Sequence, residues 1–352
     1  MVKVLKIAGR PAKFSGEIRL PPSKSYLHRA LFTSALTQSR SSMIGCGTNP
    51  NNDIRATINC IKKLGPQIEI SSRNNGTIVV TPGTLTKKAT ITVNAQASGT
   101  TARFLIPFSA LTPDGLQVRI EGDASLRRRP MEVIFDSLTQ LGVRSKALNS
   151  DGRLPIVVEG GGIEGGDCEV NGSISSQFVS SLLIACTRAR KDSTLHIKNP
   201  ETMVSKPYIL ATLAVLSWFG FRAEALESSD HEFTAFKIAG QQKVRGKKGF
   251  PVPGDMSSGA SLVCAVLAAR GEISLSNADD EHFPQSDSAV IPLARKFGGV
   301  LTKKGDRLSV SADGEVSPER FDLDLGDSPD LVPPVVGVSA AIGSRVKIIH
   351  IG

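Results

Sequence analysis

Residues 98–111 read SGTTARFLIPFSAL, a run in which small hydroxyl residues give way to apolar ones within a few positions. Hydroxyl side chains in front of an apolar run are typical of a helix N-terminus, where they accept hydrogen bonds from N–H groups that have no partner inside the helix. The same change recurs along the chain at similar intervals. The other predicted helix starts of this kind lie at Ser23, Ser173, Ser257 and Ser328.

A second kind of helix alternates with the first and ends in an aliphatic or aromatic residue followed by glycine. Glycine ends a helix well because it adopts the left-handed conformation at low cost. These glycines recur about every 77 residues, which indicates an internal repeat. The predicted helices run from Asp53 to Gly65, from Arg129 to Gly142, from Ser205 to Gly220 and from about Asp287 to Gly298.

Stretches that alternate apolar and polar residues lie between these helices and predict strands. Examples are residues 77–81, 89–93, 117–121 and 272–275. Each repeat is then expected to contain strand, helix, strand, helix and strands, built into α/β layers. The fold class predicted from the sequence is therefore α/β.

The composition narrows the class of protein. The chain has 352 residues, 40% of them hydrophobic, and a formal net charge of +9. That length favours two domains, and the charge fits a solvated surface or small anionic ligands. Aromatic residues make up only 5% of the chain and are not interleaved with the cations, as they are on single-strand nucleic-acid surfaces. We therefore expect no nucleic-acid partner.

Cysteine usage and hydropathy argue against further classes. The five cysteines are odd in number and have no CxxC spacing, which argues against a disulfide framework and a zinc site. They fit a reducing compartment. No apolar run approaches the ~20 residues needed to span a bilayer. We therefore expect a cytoplasmic protein that has no membrane partner and no bound metal.

Seven short strings occur in a fixed order along the chain, and together they resemble the signature sequences of the 5-enolpyruvylshikimate-3-phosphate (EPSP) synthases. The resemblance covers essentially all of the sequence. Ser98 stands where many members have Ala, and Pro22 stands where many have Gly; neither change removes a functional side chain. The strings are PSKSYLHRAL (22–31), SGTTAR (98–103), GDASLRRRPM (122–131), GSISSQF (172–178), SKPYI (205–209), GDMSS (254–258) and SPD (328–330).

This resemblance implies a two-domain, inside-out α/β barrel built from strand–helix–strand–helix–strand repeats. The first domain is expected to combine residues 1–20 with residues 241–352. The second is expected to span residues 21–240, with three repeats and the shikimate 3-phosphate site. Family motifs that follow the last predicted strand, Lys-Glu-x-Asp-Arg and Gly-Asp-His-Arg, do not occur in the sequence. We therefore expect a C-terminal truncation, with the C-terminal part of the first domain absent.

The resemblance also implies the reaction. The enolpyruvyl group of phosphoenolpyruvate (PEP) passes to the 5-hydroxyl of shikimate 3-phosphate through a tetrahedral intermediate, giving EPSP and phosphate. This step belongs to the route to chorismate and the aromatic amino acids. No metal or organic cofactor is implied. The expected partners are the two small anionic substrates of a monomeric enzyme.

Particular residues receive roles from the same resemblance. Lys24 is the expected catalytic residue that contacts both substrates, and Asp330 is the expected base or hydrogen-bond acceptor at the target hydroxyl. The residues expected to bind PEP are Lys24, Gly99, Arg103, Arg129 and Gln177. Those expected to bind shikimate 3-phosphate are Lys24, Ser25, Arg29, Ser175, Ser176, Gln177, Ser205, Tyr208 and Asp330.

Plainer interpretations compete for several of these residues. Arg29 fits a helix-surface ion pair equally well, Tyr208 fits core packing, and Asp330 fits a helix cap behind proline. Three adjacent arginines cannot all face one pocket. We therefore expect Arg127 and Arg128 to lie on the surface.

Three other functions remain open from the sequence. The related enolpyruvyl transferase that acts on UDP-N-acetylglucosamine has Lys-Asn where this chain has Lys24-Ser25, which argues against it. The truncation leaves an inactive or non-catalytic anion-binding fragment as an alternative. RNA terminal phosphate cyclases have a related repeat fold, but their motifs differ from the series found here.

Overall fold

The computed structural model describes residues 14–85, 90–279, 282–316 and 320–350. The chain divides into two compact units. The discontinuous unit comprises Met1–Pro21 and Pro253–Gly352, and the middle unit comprises Pro22–Val252. Among the described residues, no helix combines the length and the apolar character needed to cross a membrane.

The described part of the middle unit contains three four-stranded sheets that share one strand order. In each, the first two strands pair parallel and the other two extend the sheet antiparallel. The first sheet has the spatial order β13 (Phe250–Pro251), β2 (Ser41–Ile44), β4 (Thr77–Thr81) and β3 (Gln67–Ser71). The second has the order β5 (Thr90–Asn94), β6 (Gln117–Glu121), β8 (Ile156–Glu159) and β7 (Ser145–Ala147). The third has the order β9 (Gly166–Asn171), β10 (Ser193–Lys198), β12 (Phe233–Ile238) and β11 (Ala223–Glu227). Because the three sheets have the same strand order, each sheet corresponds to one repeat.

Helices form the interior of the middle unit. Every residue of α1 (Lys24–Ala35) from Tyr26 to Ala35 is buried. The helices α3 (Gly99–Ala110) and α5 (Ser176–Cys186) are buried almost as completely. A helix buried on all sides lies inside a domain, whereas β4 buries only alternate residues, Ile78 and Val80. The predicted α/β layering is confirmed. The helices are α1 (Lys24–Ala35), α2 (Asn52–Lys63), α3 (Gly99–Ala110), α4 (Phe135–Gln140), α5 (Ser176–Cys186) and α6 (Pro207–Phe219).

The first sheet of the middle unit is completed by the segment through which the chain leaves that unit. Phe250 of β13 pairs with Met43 of β2, and Pro251 pairs with Ile44. The second and third sheets take their first strands, β5 and β9, from the chain just before their own helices. The end of the middle unit's chain thus returns to its first repeat.

The predicted helix-ending glycines adopt the left-handed conformation. At the end of α6, Gly220 has φ 97° and donates its N–H to the Leu216 carbonyl at 3.0 Å. Gly65, Gly142 and Gly298 have φ values of 122°, 79° and 78°. These values confirm the glycine signal that defined the repeat, because a residue with a side chain is strained in this region.

Two predicted helices begin later than the sequence suggested. Arg129 is extended, with φ −82° and ψ 138°, because the ring of Pro130 disfavours helical backbone in the residue before it. A 3-10 turn at Glu132–Ile134 leads into α4 instead. Asp287 likewise lies in a 3-10 turn, Ser286–Ala289, ahead of its helix.

The predicted strands occur where expected. β4 and β6 have the predicted bounds, and β14 (Glu272–Ser276) contains the predicted residues 272–275. β5 begins at Thr90, and Ala89 lies outside the described residues.

The discontinuous unit repeats the same sheet order. Its four-stranded sheet has β1 parallel to β14, with two antiparallel strands beyond. A further parallel pair, β17 with β18, flanks α9. Buried Val263, Leu308 and Val335 belong to a single core in this unit. Its elements are β1 (Ser15–Arg19), α7 (Met256–Ala269), β14 (Glu272–Ser276), α8 (Val290–Lys296), β15 (Val300–Lys304), β16 (Arg307–Ser311), β17 (Phe321–Asp324), α9 (Val332–Ile342) and β18 (Val346–Ile349).

Candidate functional site

Two hydroxyl-rich helix starts in the middle unit are capped as their sequences predict. The Ser98 Oγ accepts a hydrogen bond from the Thr101 N–H at 3.3 Å at the start of α3. The Ser175 Oγ accepts from the Gln177 N–H at 3.3 Å at the start of α5. Side-chain capping supports these two N-termini, while the positive end of each helix dipole still favours an anion.

Arg103 joins the starts of α3 and α5. Its Nη1 donates to the Gln177 Oε1 at 3.0 Å and to the Ser175 Oγ at 3.3 Å. The guanidinium lies 5.0 Å from the centre of the Phe178 ring, within the range of a cation–π contact. Burial, and then the positive charge of Arg129, lower the pKa of Arg103 to about 10. The side chain therefore stays charged at neutral pH in a crowded cationic setting.

Arg129 reaches the same helix start from the loop after β6. A Cβ placed on Gly99 would lie 2.7 Å from the Arg129 Nη1 and 3.9 Å from the Arg103 Nη1. Glycine at position 99 therefore lets both guanidiniums approach the first turn of α3. Any larger residue there would displace the Arg129 side chain.

Neither guanidinium is neutralised within the described part of the chain. Arg103 bonds only neutral oxygens, and its Nε has no partner among the described residues. Arg129 makes no hydrogen bond or ion pair with any described side chain. Two unneutralised cations over the positive end of a helix make this region a candidate anion site. The structure thus brings together Gly99, Arg103, Arg129, Ser175 and Gln177, as the sequence predicted.

Lys24, the first residue of α1, forms an ion pair with Asp53 in the first turn of α2. The Lys24 Nζ lies 3.3 Å from the Asp53 Oδ2, and both side chains are partly exposed. Exposed pairs contribute only about 0–1 kcal/mol, so Lys24 can exchange this partner for a ligand anion. Asp53 was missed as a site residue. Its position in the first turn of a predicted helix was the available signal.

Arg29 links three helices of the middle unit. Its guanidinium donates to the Thr212 Oγ1 at 2.8 Å and the Tyr208 carbonyl at 2.9 Å, both on α6. It also donates to the Ser180 Oγ on α5 at 3.3 Å and to the Ser25 carbonyl on its own helix at 2.9 Å. The side chain is only 2% exposed, and burial lowers its pKa to about 10. The competing interpretation of a helix-surface ion pair is wrong, because Arg29 is buried and no described carboxylate pairs with it. Its substrate-binding role remains a prediction.

The other predicted shikimate-side residues lie at the starts of α5 and α6. Ser176 is buried as the first residue of α5. Ser205 has a left-handed φ of 56°, an uncommon conformation for serine, and its carbonyl accepts from the Tyr208 N–H at 3.1 Å. Tyr208 is half-buried, and its ring lies 5.6 Å from the Arg29 guanidinium. Their binding roles also remain predictions.

The three adjacent arginines are all exposed, and Arg129 is the one whose guanidinium lies against Gly99. Arg127 is exposed and pairs with Glu121 at 2.7 Å, and Arg128 is exposed as well. The prediction that both lie on the surface is confirmed.

The discontinuous unit has a helix-start region of its own, and that region is acidic. Asp330 is exposed in the 3-10 turn Pro329–Leu331, whose N-cap residue Ser328 makes no side-chain cap. Asp287 is buried and accepts a hydrogen bond from Ser257 at the start of α7. Burial, together with the charges of Asp330 and Asp255, raises the pKa of Asp287 to about 6 against the opposing effect of Ser257. Asp287 was not recognised as a candidate, because its acidic neighbours come from distant stretches of sequence.

The described residues contain no group of His, Cys, Asp and Glu side chains that could hold a metal ion. All five cysteines are free and buried. Burial raises the pKa of Cys186 to about 12, which makes its thiol a poor nucleophile. The cysteines are therefore small residues of the core.

Sheets around buried helices, with two arginines gathered at the starts of α3 and α5, define an α/β repeat protein with a candidate site for small anions. The model of the EPSP synthase (3-phosphoshikimate 1-carboxyvinyltransferase) family matches residues 9–351, and the chain belongs to that family.

Curated relatives and a solved structure agree with this assignment. The 3-phosphoshikimate 1-carboxyvinyltransferase of Methanosphaera stadtmanae is 33% identical over 92% of this chain and 73% of its own length. The one from Korarchaeum cryptofilum is 36% identical over 96% of this chain and 75% of its own length. The EPSP synthase structure from Acinetobacter baumannii has a TM-score of 0.73 at 19% identity, covering 95% of this chain and 73% of that chain. The structural match supports the fold.

Proposed function

We propose that this protein transfers the enolpyruvyl group of PEP to the 5-hydroxyl of shikimate 3-phosphate. The 5-hydroxyl loses its proton as its oxygen bonds to C2 of PEP, and C3 of PEP gains a proton, giving a tetrahedral intermediate. C3 then loses a proton as the bond from C2 to the phosphate oxygen breaks, which restores the double bond and releases phosphate and EPSP. Family membership supports this reaction.

The observation that carries the proposal is the pair of guanidiniums over Gly99. PEP carries a carboxylate and a phosphate on the same carbon, C2, so its site needs more than one cation and close backbone approach. Arg103 and Arg129 supply two planar donor groups, and Gly99 leaves room beside the helix N-terminus. Gln177, held by Arg103, is the proposed neutral donor to the same substrate.

We assign proton transfer and charge neutralisation to Lys24. Its ammonium sits at the start of α1 and, among the described residues, pairs with the partly exposed Asp53. An incoming phosphate or carboxylate can replace that partner at little cost. Asp330 is the proposed base or hydrogen-bond acceptor for the 5-hydroxyl, and it is exposed.

Shikimate 3-phosphate is assigned to helix starts of the middle unit. The hydroxyls of Ser25, Ser175, Ser176 and Ser205 are the proposed partners of its phosphate and ring hydroxyls. Arg29 and Tyr208 complete that proposed site, and the contacts from Arg29 to the Ser25 and Tyr208 carbonyls support it.

The two compact units support the two-domain organisation expected from the sequence. We propose that the middle unit is the shikimate 3-phosphate-binding domain and that the discontinuous unit is the other domain. We also propose a monomeric, cytoplasmic enzyme. Sedimentation analysis checks the monomer, because a dimer would double the sedimenting mass.

The test of the reaction is a coupled assay of the full chain with both substrates. Phosphorus NMR should show PEP and shikimate 3-phosphate consumed together while EPSP and inorganic phosphate appear in equal amounts. A matched reaction with UDP-N-acetylglucosamine as acceptor should release no phosphate. Turnover with the UDP-sugar alone would overturn the assignment of the acceptor.

A further inference from the structure

A buried chain of hydrogen bonds runs through three helices beneath the candidate anion site. The His28 Nδ1 lies 2.8 Å from the Thr57 Oγ1, and the Thr57 Oγ1 lies 2.6 Å from the Thr101 Oγ1. The Thr101 Oγ1 donates to the Ser98 Oγ at 2.7 Å. All four side chains are buried. The chain therefore connects α1, α2 and the start of α3 without solvent.

The contact lengths give this chain a direction. A hydroxyl donates one hydrogen bond, and the Thr101 proton goes to Ser98 at 2.7 Å rather than to the Asp53 carbonyl at 3.4 Å. The Thr57 proton then goes to Thr101 at 2.6 Å rather than to the Asp53 carbonyl at 3.3 Å, so the His28 Nδ1 carries the proton that Thr57 accepts. Burial, with the positive charges of Arg29 and Lys24, lowers the pKa of His28 to about 3. The imidazole is thus neutral and can hold one tautomer.

Each end of the chain lies next to a residue of the candidate site. His28 is one helical turn from Lys24, on the same face of α1. Thr57 is one turn from Asp53, and the Thr57 and Thr101 hydroxyls lie 3.3 and 3.4 Å from the Asp53 carbonyl. Ser98 precedes Gly99 directly. A shift of any one helix against the others would stretch these short contacts.

We propose that His28, Thr57 and Thr101 are positioning residues that hold the Lys24–Asp53 pair in register with the Gly99 end of α3. None of them is assigned a substrate contact. The inference rests on the proposed function, because Lys24, Gly99, Arg103 and Arg129 are taken as the PEP site. A displacement of about 1 Å at such a site can cost on the order of 100-fold in rate.

The kinetic test compares Thr101→Val with Thr101→Ser. Valine keeps the shape and removes the hydroxyl, whereas serine restores it. We expect Thr101→Val to raise the KM for PEP about tenfold while the KM for shikimate 3-phosphate changes less than about twofold. Thr101→Ser should restore the PEP value. Unchanged constants in Thr101→Val would overturn the proposal.

Thr187→Val is the matched control. Thr187 is a buried threonine at the end of α5, and its hydroxyl donates to the Ile184 carbonyl at 2.7 Å. It should lose similar thermal stability with both KM values intact. If Thr187→Val reproduced the PEP defect of Thr101→Val, the effect would reflect general loosening, and the positioning role would be wrong.

A spectroscopic test separates this inference from the proposed function. Nitrogen-15 NMR should show His28 neutral with its proton on Nδ1, the signal being assigned by its loss in His28→Gln. Thr57→Val should shift the proton toward Nε2. An Nε2–H tautomer in the unaltered protein would overturn the hydrogen-bond chain even in an active enzyme. Absence of turnover with the expected tautomer and PEP binding intact would instead count against the proposed reaction.

Discussion

The start of α3 in the middle unit and the start of α7 in the discontinuous unit share one repeat frame but carry opposite charge. Both follow a hydroxyl-rich turn, and both lie beside a sheet of the same strand order. At α3 the converging side chains are Arg103 and Arg129, whereas at α7 Asp287 accepts from Ser257 in the field of Asp255.

In each cluster, burial and a neighbouring like charge shift a side-chain pKa. Burial and a neighbouring cation lower the pKa of Arg103, while burial and neighbouring carboxylates raise the pKa of Asp287. The repeat places helix starts, and a few side chains decide what each can bind. Function in this fold therefore depends on the side chains at the helix starts rather than on the repeated backbone arrangement.

The cationic side of this comparison is tested hardest by Lys24→Ala. Loss of the ammonium removes both a proposed proton carrier and a substrate-binding charge, so kcat should fall by about 10²- to 10⁴-fold. Lys62→Ala, which removes an exposed lysine from the last turn of α2, should stay within about twofold of the unaltered protein. Steady-state kinetics give both values. Near-normal turnover in Lys24→Ala would take Lys24 out of the site.

The acidic side is tested by the pH dependence of stability. Because the folded-state pKa of Asp287 is raised from 3.8 to about 6, the folded state binds its proton more tightly than the unfolded state does. Stability should fall as pH rises through this window, by up to about 3 kcal/mol above pH 6. Asp287→Asn should lack this loss in urea unfolding between pH 4 and 7.

Asp313→Asn, at an exposed position of the same unit, is the control and should follow the unaltered protein. Parallel pH profiles for all three proteins would show that folding does not raise the pKa of Asp287, and the contrast with α3 would disappear.

Arg129→Ala tests whether the guanidinium next to Gly99 binds PEP. Loss of a charge-assisted hydrogen-bonding group should raise the Kd for PEP about 10-fold, measured by calorimetry with shikimate 3-phosphate present. Arg128→Ala removes the same charge from the neighbouring exposed position and should leave the Kd within about twofold. Equal losses in the two variants would mean that general positive charge, rather than this geometry, attracts PEP.

The smallest effect is expected from Arg127→Ala. Its ion pair with Glu121 is exposed, so the free energy of unfolding should change by less than about 1 kcal/mol and the kinetics should not change. Thermal unfolding measures the first quantity. A larger loss would reveal that the arginine run stabilises the loop that carries Arg129.

Local signals predicted much of the fold. Leu64-Gly65 and Phe219-Gly220 ended helices because glycine alone takes the left-handed conformation at low cost. The helix predicted from Arg129 begins later, because Pro130 disfavours helical backbone at Arg129. The prediction followed the repeat period and did not apply this local rule. The sequence pattern could not predict β13. It has only two residues, and they pair with β2, which lies far earlier in the chain.

The candidate site divides in the same way. Gly99, Arg103 and Arg129 were found because family motifs name them, and the structure brings them together. Asp53, His28 and Asp287 were missed. Their significance lies in partners such as Lys24, Thr57 and Ser257, which the fold brings near and which no spacing along the chain reveals.

The position of β1 has a consequence for how the chain is made. Ser15 of β1 pairs with Glu272 of β14, so the first described strand leaves the ribosome before its neighbour exists. At 5–20 residues per second the wait is on the order of tens of seconds, time enough for the middle unit to fold. During that delay Glu17 and Arg19, charged residues on a strand that stays exposed even in the finished protein, protect an unpaired edge from joining another nascent chain.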